Sequence, residues 1–343
     1  MSSNKKAYNA ETILQNKIFK RRRIIIERKR KGYLFSKRKT KISSVIKEVI
    51  FAPEDFRFID NPELCLNFFN SLRSKDKCSI VEGKRKFRIS LSRVKEIDFA
   101  TISILKCIFE EAKFYGISFE GTYPRNEDCK KSLLESGFLN RVSEDEAKEI
   151  QIKSKGNYFS LEKKQGKLTL KDFENFENIS IDAYEYVSGK EGFSDEIITM
   201  LKEIGGNAIE WSNSYNQQWQ IGVYKDNGKV IFNVTDLGRG ILDTLYVSQK
   251  LKLVDLFFFR DNLEILNRAF ERKYGSLSQE INRNRGLPSI KKIFEDNKIS
   301  NLLVCTNDVY LNFQLPSKSH MFKRGNFKFY GTFYQWEYDQ NCI

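Results

Sequence analysis

Three segments in the C-terminal half constrain this chain more than anything else in it. "EIGGNAIEW" at 203–211 lies in a stretch of helical periodicity, "VTDLGRGI" at 234–241 ends a hairpin, and "NRGLPSIKKIF" at 284–294 runs from a loop into a helix. In the first, Ile197, Leu201, Ile204 and Ala208 recur at three- and four-residue spacing and define an apolar face, while Glu203, Asn207 and Trp211 recur every four residues on another. Ser194 is placed to cap this helix, and Glu196 puts a carboxylate in its first turn. Glycines such as Gly205 and Gly206 cost about 1 kcal/mol each relative to alanine inside a helix. They predict a close neighbour, either a ligand or a packed strand. "QWQIGVYKDNGKVIFNVTD" reads as a hairpin turning at 226–228, with Val230, Phe232 and Val234 alternating towards one face. It delivers Asp236, then Gly238 and Gly240. A carboxylate at a strand end above closely approaching backbone suits recognition of a base amine. Together the three segments predict a nucleotide pocket.

The chain has 343 residues and is 40% hydrophobic, enough for two cored domains. No apolar run reaches the ~18 residues of a membrane span, and the charged N-terminus lacks the apolar stretch of a secretory signal. Six widely spaced cysteines without a CxxC, and a single histidine, do not compose a structural zinc site. They read as reduced thiols of a cytoplasmic protein. The net charge of +14 is uneven: residues 1–40 hold 14 Lys or Arg against two Glu, which leaves +2 for the other 303. The basic residues 17–39 suit a DNA or RNA backbone, an anionic lipid surface, or docking on an acidic partner or on the protein's own body. The body itself carries no such signal.

Between 45 and 150, strand-like and helix-like runs alternate. "VIKEVIFAPEDFRFID" offers a strand and a turn, 62–73 a helix, 87–94 a strand, 99–116 a helix, 117–121 a strand and 126–138 a helix ending at Gly137. Such alternation predicts a sheet covered by helices. The strand "FRISLSRVKEID", the helix after it and the "LLESGF" helix end resemble the STAS domain family, which includes anti-anti-sigma factors. The resemblance implies a docking scaffold. The family's phosphoacceptor serine falls on Ala100, two residues after Asp98, so no phosphoswitch is expected. Thr101 and Ser103 nearby read as helix cap and helix face. Residues 151–190 read as a connector holding a strand, a turn and an amphipathic segment.

Residues 190–340 resemble the GHKL ATPase family, which includes gyrase B, MutL, MORC-like proteins and histidine-kinase catalytic domains. "EIGGNA" matches the family's Glu-x-x-x-Asn-Ala box. The resemblance gives Glu203 the role of orienting water and Asn207 that of magnesium ligand. "DLGRG" matches Asp-x-Gly-x-Gly, so Asp236 is implied as the acceptor for the adenine amine, with Gly238 and Gly240 beneath base and ribose. "RGL" matches the end of the third box, placing Gly286 and Leu287 where helix-terminal amides meet phosphate. That box's earlier glycines are replaced by Asn282 and Asn284, and Arg283 and Arg285 are implied as substitute phosphate contacts. Trp211 stands where kinase-like relatives carry histidine. Gly331-Thr332 resembles the family's final Gly-Thr, with Thr332 assisting Asp236. The segment 242–285 would be the lid, with Ser276 and Ser278 in its closing part and Phe257, Phe258 and Phe259 in its core.

The expected architecture is therefore α/β. A basic arm (1–44) precedes a small STAS-like α/β domain (45–150), a connector (151–190) and a GHKL-type two-layer α/β sandwich with a mixed sheet (191–343). The expected function is Mg²⁺-dependent ATP binding, with slow hydrolysis driving a conformational switch on a protein partner in bacterial defence or regulation. That partner would dock through the STAS-like domain or the lid, and a homodimer is open. Three alternatives stand beside this: an anti-sigma-like serine/threonine kinase, a non-catalytic nucleotide-sensing scaffold, and a nucleic-acid-associated MORC-like ATPase. The only histidine, His320, lies in a polar loop, which argues against an autophosphorylating histidine kinase.

Overall fold

A computed structural model describes residues 49–74, 79–81, 84–136, 159–165, 167–211, 218–247, 261–271, 286–322 and 328–343. The basic arm, Gly137, Ser276, Ser278, Phe257 to Phe259, Asn282, Arg283, Asn284, Arg285 and the Trp211 side chain lie outside that description. Among the described residues no helix is long and apolar enough to cross a membrane.

The N-terminal unit follows local chemistry closely. Short strands β1 (Ile50–Phe51) and β2 (Asp55–Phe56) lead to α1 (Pro62–Arg73), which starts on proline, a residue whose fixed φ suits the first turn. Strands β3 (Ser79–Val81), β4 (Lys84–Ser90) and β5 (Glu96–Ile97) precede α2 (Phe99–Phe114). Then come β6 (Ile117–Thr122) and α3 (Glu127–Glu135). The four-stranded sheet is mixed: β1 and β6 run parallel to β4, and β3 runs antiparallel to it. The β4 strand ends earlier than its alternation predicts, because a turn closes at Leu91 through the Val94 N–H to the Leu91 carbonyl, 2.9 Å, and it begins earlier, where Lys84 to Lys86 pair with β3. Asp98 caps α2 by accepting from the Thr101 N–H at 2.7 Å and also accepts from the Ile59 N–H at 2.9 Å.

Seven strands form the second sheet, in the order β12-β11-β10-β13-β9-β8-β7. They are β7 (Phe159–Gln165), β8 (Gln218–Asp226), β9 (Lys229–Asp236), β10 (Ser300–Asn307), β11 (Val309–Asn312), β12 (His320–Met321) and β13 (Phe329–Tyr338). The expected connector supplies edge strand β7 and helix α4 (Leu170–Ser188), so it is built into this unit rather than lying beside it. A capping box between Thr169 and Asp172 starts α4, and left-handed Gly189 (φ 69°) ends it. Helices α5 (Asp195–Trp211), α6 (Ile241–Val247), α7 (Asn262–Phe270) and α8 (Gly286–Glu295) are the other α-helices among the described residues.

Two features correct the sequence expectation for this half. First, the sheet is not mixed: every described pairing in it is antiparallel. Tight turns join β8 to β9 and β10 to β11, and a two-residue turn admits only antiparallel neighbours. Asn227 and Gly228 both take positive φ (46° and 80°), as a type I′ turn requires. Second, the sheet is covered on both faces, not one. Val230, Phe232, Val234, Val304 and Trp336 belong to the core shared with α4, α5 and α8. The alternate residues Leu303, Cys305, Tyr310 and Phe333 belong to the core of the N-terminal unit. The cause is that β10 and β13 are apolar at consecutive positions, which leaves neither face fit for water. Phe58 meets Phe333 edge-on at 5.3 Å, and the Tyr310 hydroxyl donates to the Ile59 carbonyl at 2.8 Å. Helix α2 is consequently buried along most of its length, between its own sheet and the large one.

Candidate functional site

The glycine pair in α5 has two separate explanations. A methyl on Gly205 would come within 2.7 Å of the Trp219 ring, whereas Gly206 has open space around its α-carbon. The close neighbour predicted by the sequence is thus a strand side chain at Gly205. Ser194 accepts from the Ile197 N–H at 3.3 Å and donates to Glu196 at 3.0 Å, which fixes the start of the helix. Ile197, Leu201, Ile204 and Ala208 are buried on its apolar face. That face sets the orientation of the other one, leaving Glu203 and Asn207 half-buried one turn apart.

Those two side chains converge on the start of α8. A methyl on Gly286 would come within 2.7 Å of Glu203 Oε2 and 3.3 Å of Asn207 Nδ2. Any larger residue at 286 would fill the space in front of both. The Asn207 amide nitrogen is buried and has no hydrogen-bond partner among the described residues. Burial also pushes the Glu203 carboxyl above its usual range. A carboxylate and an amide therefore face a helix N-terminus, where backbone N–H groups lack intrahelical partners. Leu287 follows, partly buried against the core of the helical layer.

Asp236 ends β9, directly opposite Thr332 of β13 on one side and Trp219 of β8 on the other. Directly opposed residues of an antiparallel pair share a face, so the Trp219 ring that packs under Gly205 also lies beside Asp236. In this way the fold joins the first two sequence motifs. Asp236 is only 6% exposed. Burial pushes its carboxyl up to about 6, opposed by the Gly238 N–H, by Thr332 and more weakly by the charge of Arg73. The Gly238 N–H donates to Asp236 Oδ1 at 2.9 Å.

Both remaining glycines are forced by sterics. Gly331 has φ 136°, and a side chain there would collide with the Asp236 backbone carbonyl. Gly240 has φ 82° and lies against the Asn307 side chain, which a methyl would approach to 2.5 Å. Sequence reasoning missed Asn307 and its neighbour Thr306. Asn307 accepts from the Leu242 N–H at 2.9 Å and donates to the Arg239 carbonyl at 3.0 Å. Thr306 accepts from the Ile241 N–H and donates to the Gly331 carbonyl, both at 2.9 Å. Together they cap α6 and pin the glycine loop. The one signal for them is an asparagine ending a strand before a tight turn, where its φ of 55° is tolerated. Tyr334 is a second omission. It lies two residues beyond Thr332 on the same face, and its hydroxyl is buried without a partner among the described residues.

Of the predicted residues, Glu203, Asn207 and Gly286 meet by direct approach. Asp236, Gly238, Gly240 and Thr332 are joined through strand register and the loop that follows β9. Arg283 and Arg285 lie outside the described residues. In the N-terminal unit, Ala100, Thr101 and Ser103 are all buried. The Thr101 hydroxyl donates to the Phe56 carbonyl at 2.6 Å, and Ser103 accepts from Asn233 at 3.4 Å. Compared with family models, curated proteins and solved structures, the chain matches none.

Proposed function

We propose that this chain is an Mg²⁺-dependent ATP-binding switch of the GHKL type, with slow hydrolysis and an N-terminal STAS-like unit. The observation that carries the reading is the convergence of Glu203 and Asn207 on Gly286 at the start of α8. A polyphosphate there would receive helix-terminal N–H groups, an environment that favours anions. The buried Asn207 amide without a partner fits a metal ligand through its oxygen, since the two ends of an amide are interchangeable by a flip. When bound, magnesium neutralises phosphate charge. Asp236, ionised, accepts from a base amine, and the Thr332 hydroxyl holds that carboxylate in place. Glu203, less acidic than a free carboxylate, orients a water towards the terminal phosphate.

Calorimetric titration with ATP, with and without magnesium, tests the reading. Binding is expected to tighten about tenfold or more with magnesium, worth ~1.4 kcal/mol, and Asn207→Ala to remove that gain. Absence of ATP binding by the parent protein refutes the proposal.

A further inference from the structure

We infer that Arg73, a residue of the N-terminal unit, is a positioning residue for the base-recognition edge of the nucleotide site, an inference that rests on the ATP-binding reading. Arg73 ends α1, 163 positions before Asp236 in the chain. Its guanidinium is nevertheless inserted between the two segments that carry Asp236 and Thr332. Nη2 donates to the Leu237 carbonyl at 3.1 Å, and Nη1 donates to the Tyr330 carbonyl at 2.9 Å. Leu237 directly follows Asp236, and Tyr330 stands two residues before Thr332. One side chain therefore ties the exit of β9 to the start of β13 at the level of the acceptor carboxylate.

The guanidinium is itself held. Glu111 of α2 receives Nε at 2.8 Å and Nη2 at 2.9 Å, a bidentate pair with side-chain exposures of only 9% and 14%. Four directed bonds thus fix the planar group, and this geometry belongs to arginine rather than lysine. A second α1 residue one turn earlier reinforces the contact: Asn70 donates to the Lys328 carbonyl at 3.1 Å. Lys328 in turn pairs with Asp243 of α6 at 2.9 Å, across the far end of the glycine loop. The N-terminal unit accordingly grips the nucleotide edge at three places. A shift of α1 or α2 moves the Leu237 and Tyr330 carbonyls, and hence the Asp236–Thr332 pair. By linkage, a nucleotide that tightens that pair stabilises the packing of the N-terminal unit.

Arg73→Lys retains the charge but cannot hold both carbonyls and the bidentate carboxylate. In the full chain, calorimetry with Mg·ATP and Mg·GTP should show ATP binding about tenfold weaker than in the parent. The preference for ATP over GTP should shrink with it, a readout that loss of fold stability alone would not move. Amide exchange without nucleotide should quicken at Leu237 to Gly240 and at Gly331. Glu111→Gln, a milder change, should act in the same direction if Arg73→Lys folds poorly. If the parent binds ATP while both variants keep its affinity, base preference and exchange pattern, the role of Arg73 is overturned and the ATP reading stands. If the parent binds no nucleotide, the ATP reading itself falls and takes this role with it.

Discussion

Asp236→Asn should make the protein more stable while abolishing ATP binding. The carboxyl is almost fully enclosed, and burial raises it from 3.8 to about 6 against the opposing Gly238 and Thr332 contacts. A carboxyl whose folded pKa lies above its unfolded one supports folding while protonated. That support is complete below the unfolded pKa and is lost as pH rises through the folded value. At ~1.36 kcal/mol per pH unit, ionising Asp236 in the folded protein costs ~3 kcal/mol above pH 7 and about half of that at pH 5. Asparagine has nearly the same shape, accepts from the Gly238 N–H through its amide oxygen and carries no charge to desolvate. Urea unfolding followed by tryptophan fluorescence at pH 5, 6, 7 and 8 measures the difference, since Trp219 and Trp336 are both buried. The variant should gain steadily on the parent up to pH 7 and hold a constant lead beyond it. A variant less stable than the parent at pH 8, or a lead independent of pH, refutes the reasoning. Calorimetry on the same samples should show ATP binding lost, because an amide is a poorer acceptor for a base amine and also presents donors to it.

Glu203→Ala should lower phosphate release by roughly 100-fold or more while ATP affinity stays within a few-fold; equal release removes Glu203 from the chemistry. Gly205→Ala should cost about 1–3 kcal/mol in urea unfolding, because its methyl meets the Trp219 ring. Gly206→Ala, with open space, should gain up to ~1 kcal/mol from helix propensity; equal effects at the two positions would contradict the packing. Removal of residues 1–40, which carry +12 of the net charge, should weaken salt-sensitive binding to duplex DNA in a fluorescence titration. Unchanged affinity excludes the arm as the main electrostatic contact.

The helices were legible because their signals are local. Proline opens α1 at Pro62, Asn126 caps α3 and Ser194 starts α5, each within a few residues of the position its sequence suggests. Helix α2 is capped by Asp98 and not by Thr101, which lies inside the helix with its hydroxyl on the Phe56 carbonyl. The Asn227–Gly228 turn and the alternation around it likewise gave the β8–β9 hairpin. Short strands β3 and β12, of three and two residues, were missed, with His320 of β12 assigned to a loop and β5 run together with β4, since such lengths hold no measurable period. The consecutive apolar residues of β10, Leu302 to Cys305, suit either a strand or a buried helix segment by length and pattern, so burial of both faces was decided by the fold.

The sequence by itself determined which residues could make a site and the local structure that carries them. Helical spacing sets Glu203 and Asn207 one turn apart, and the hairpin turn brings Asp236 to a strand end, because each depends on backbone geometry over a few residues. Only the tertiary structure decided what those residues meet. It inserted β13 between β9 and β10, so that Thr332 faces Asp236 and Gly331 closes against its backbone. It set Gly286 against Glu203 and Asn207, and laid α2 on the free face of the large sheet. Arg73 shows the difference most plainly. In sequence it is a basic residue at a helix end, where surface placement is the ordinary outcome. In the fold, the burial of apolar side chains on both sheet faces carries its guanidinium to two backbone carbonyls and to Glu111. Side-chain packing between segments far apart in the chain fixes those partners, and no local pattern records it.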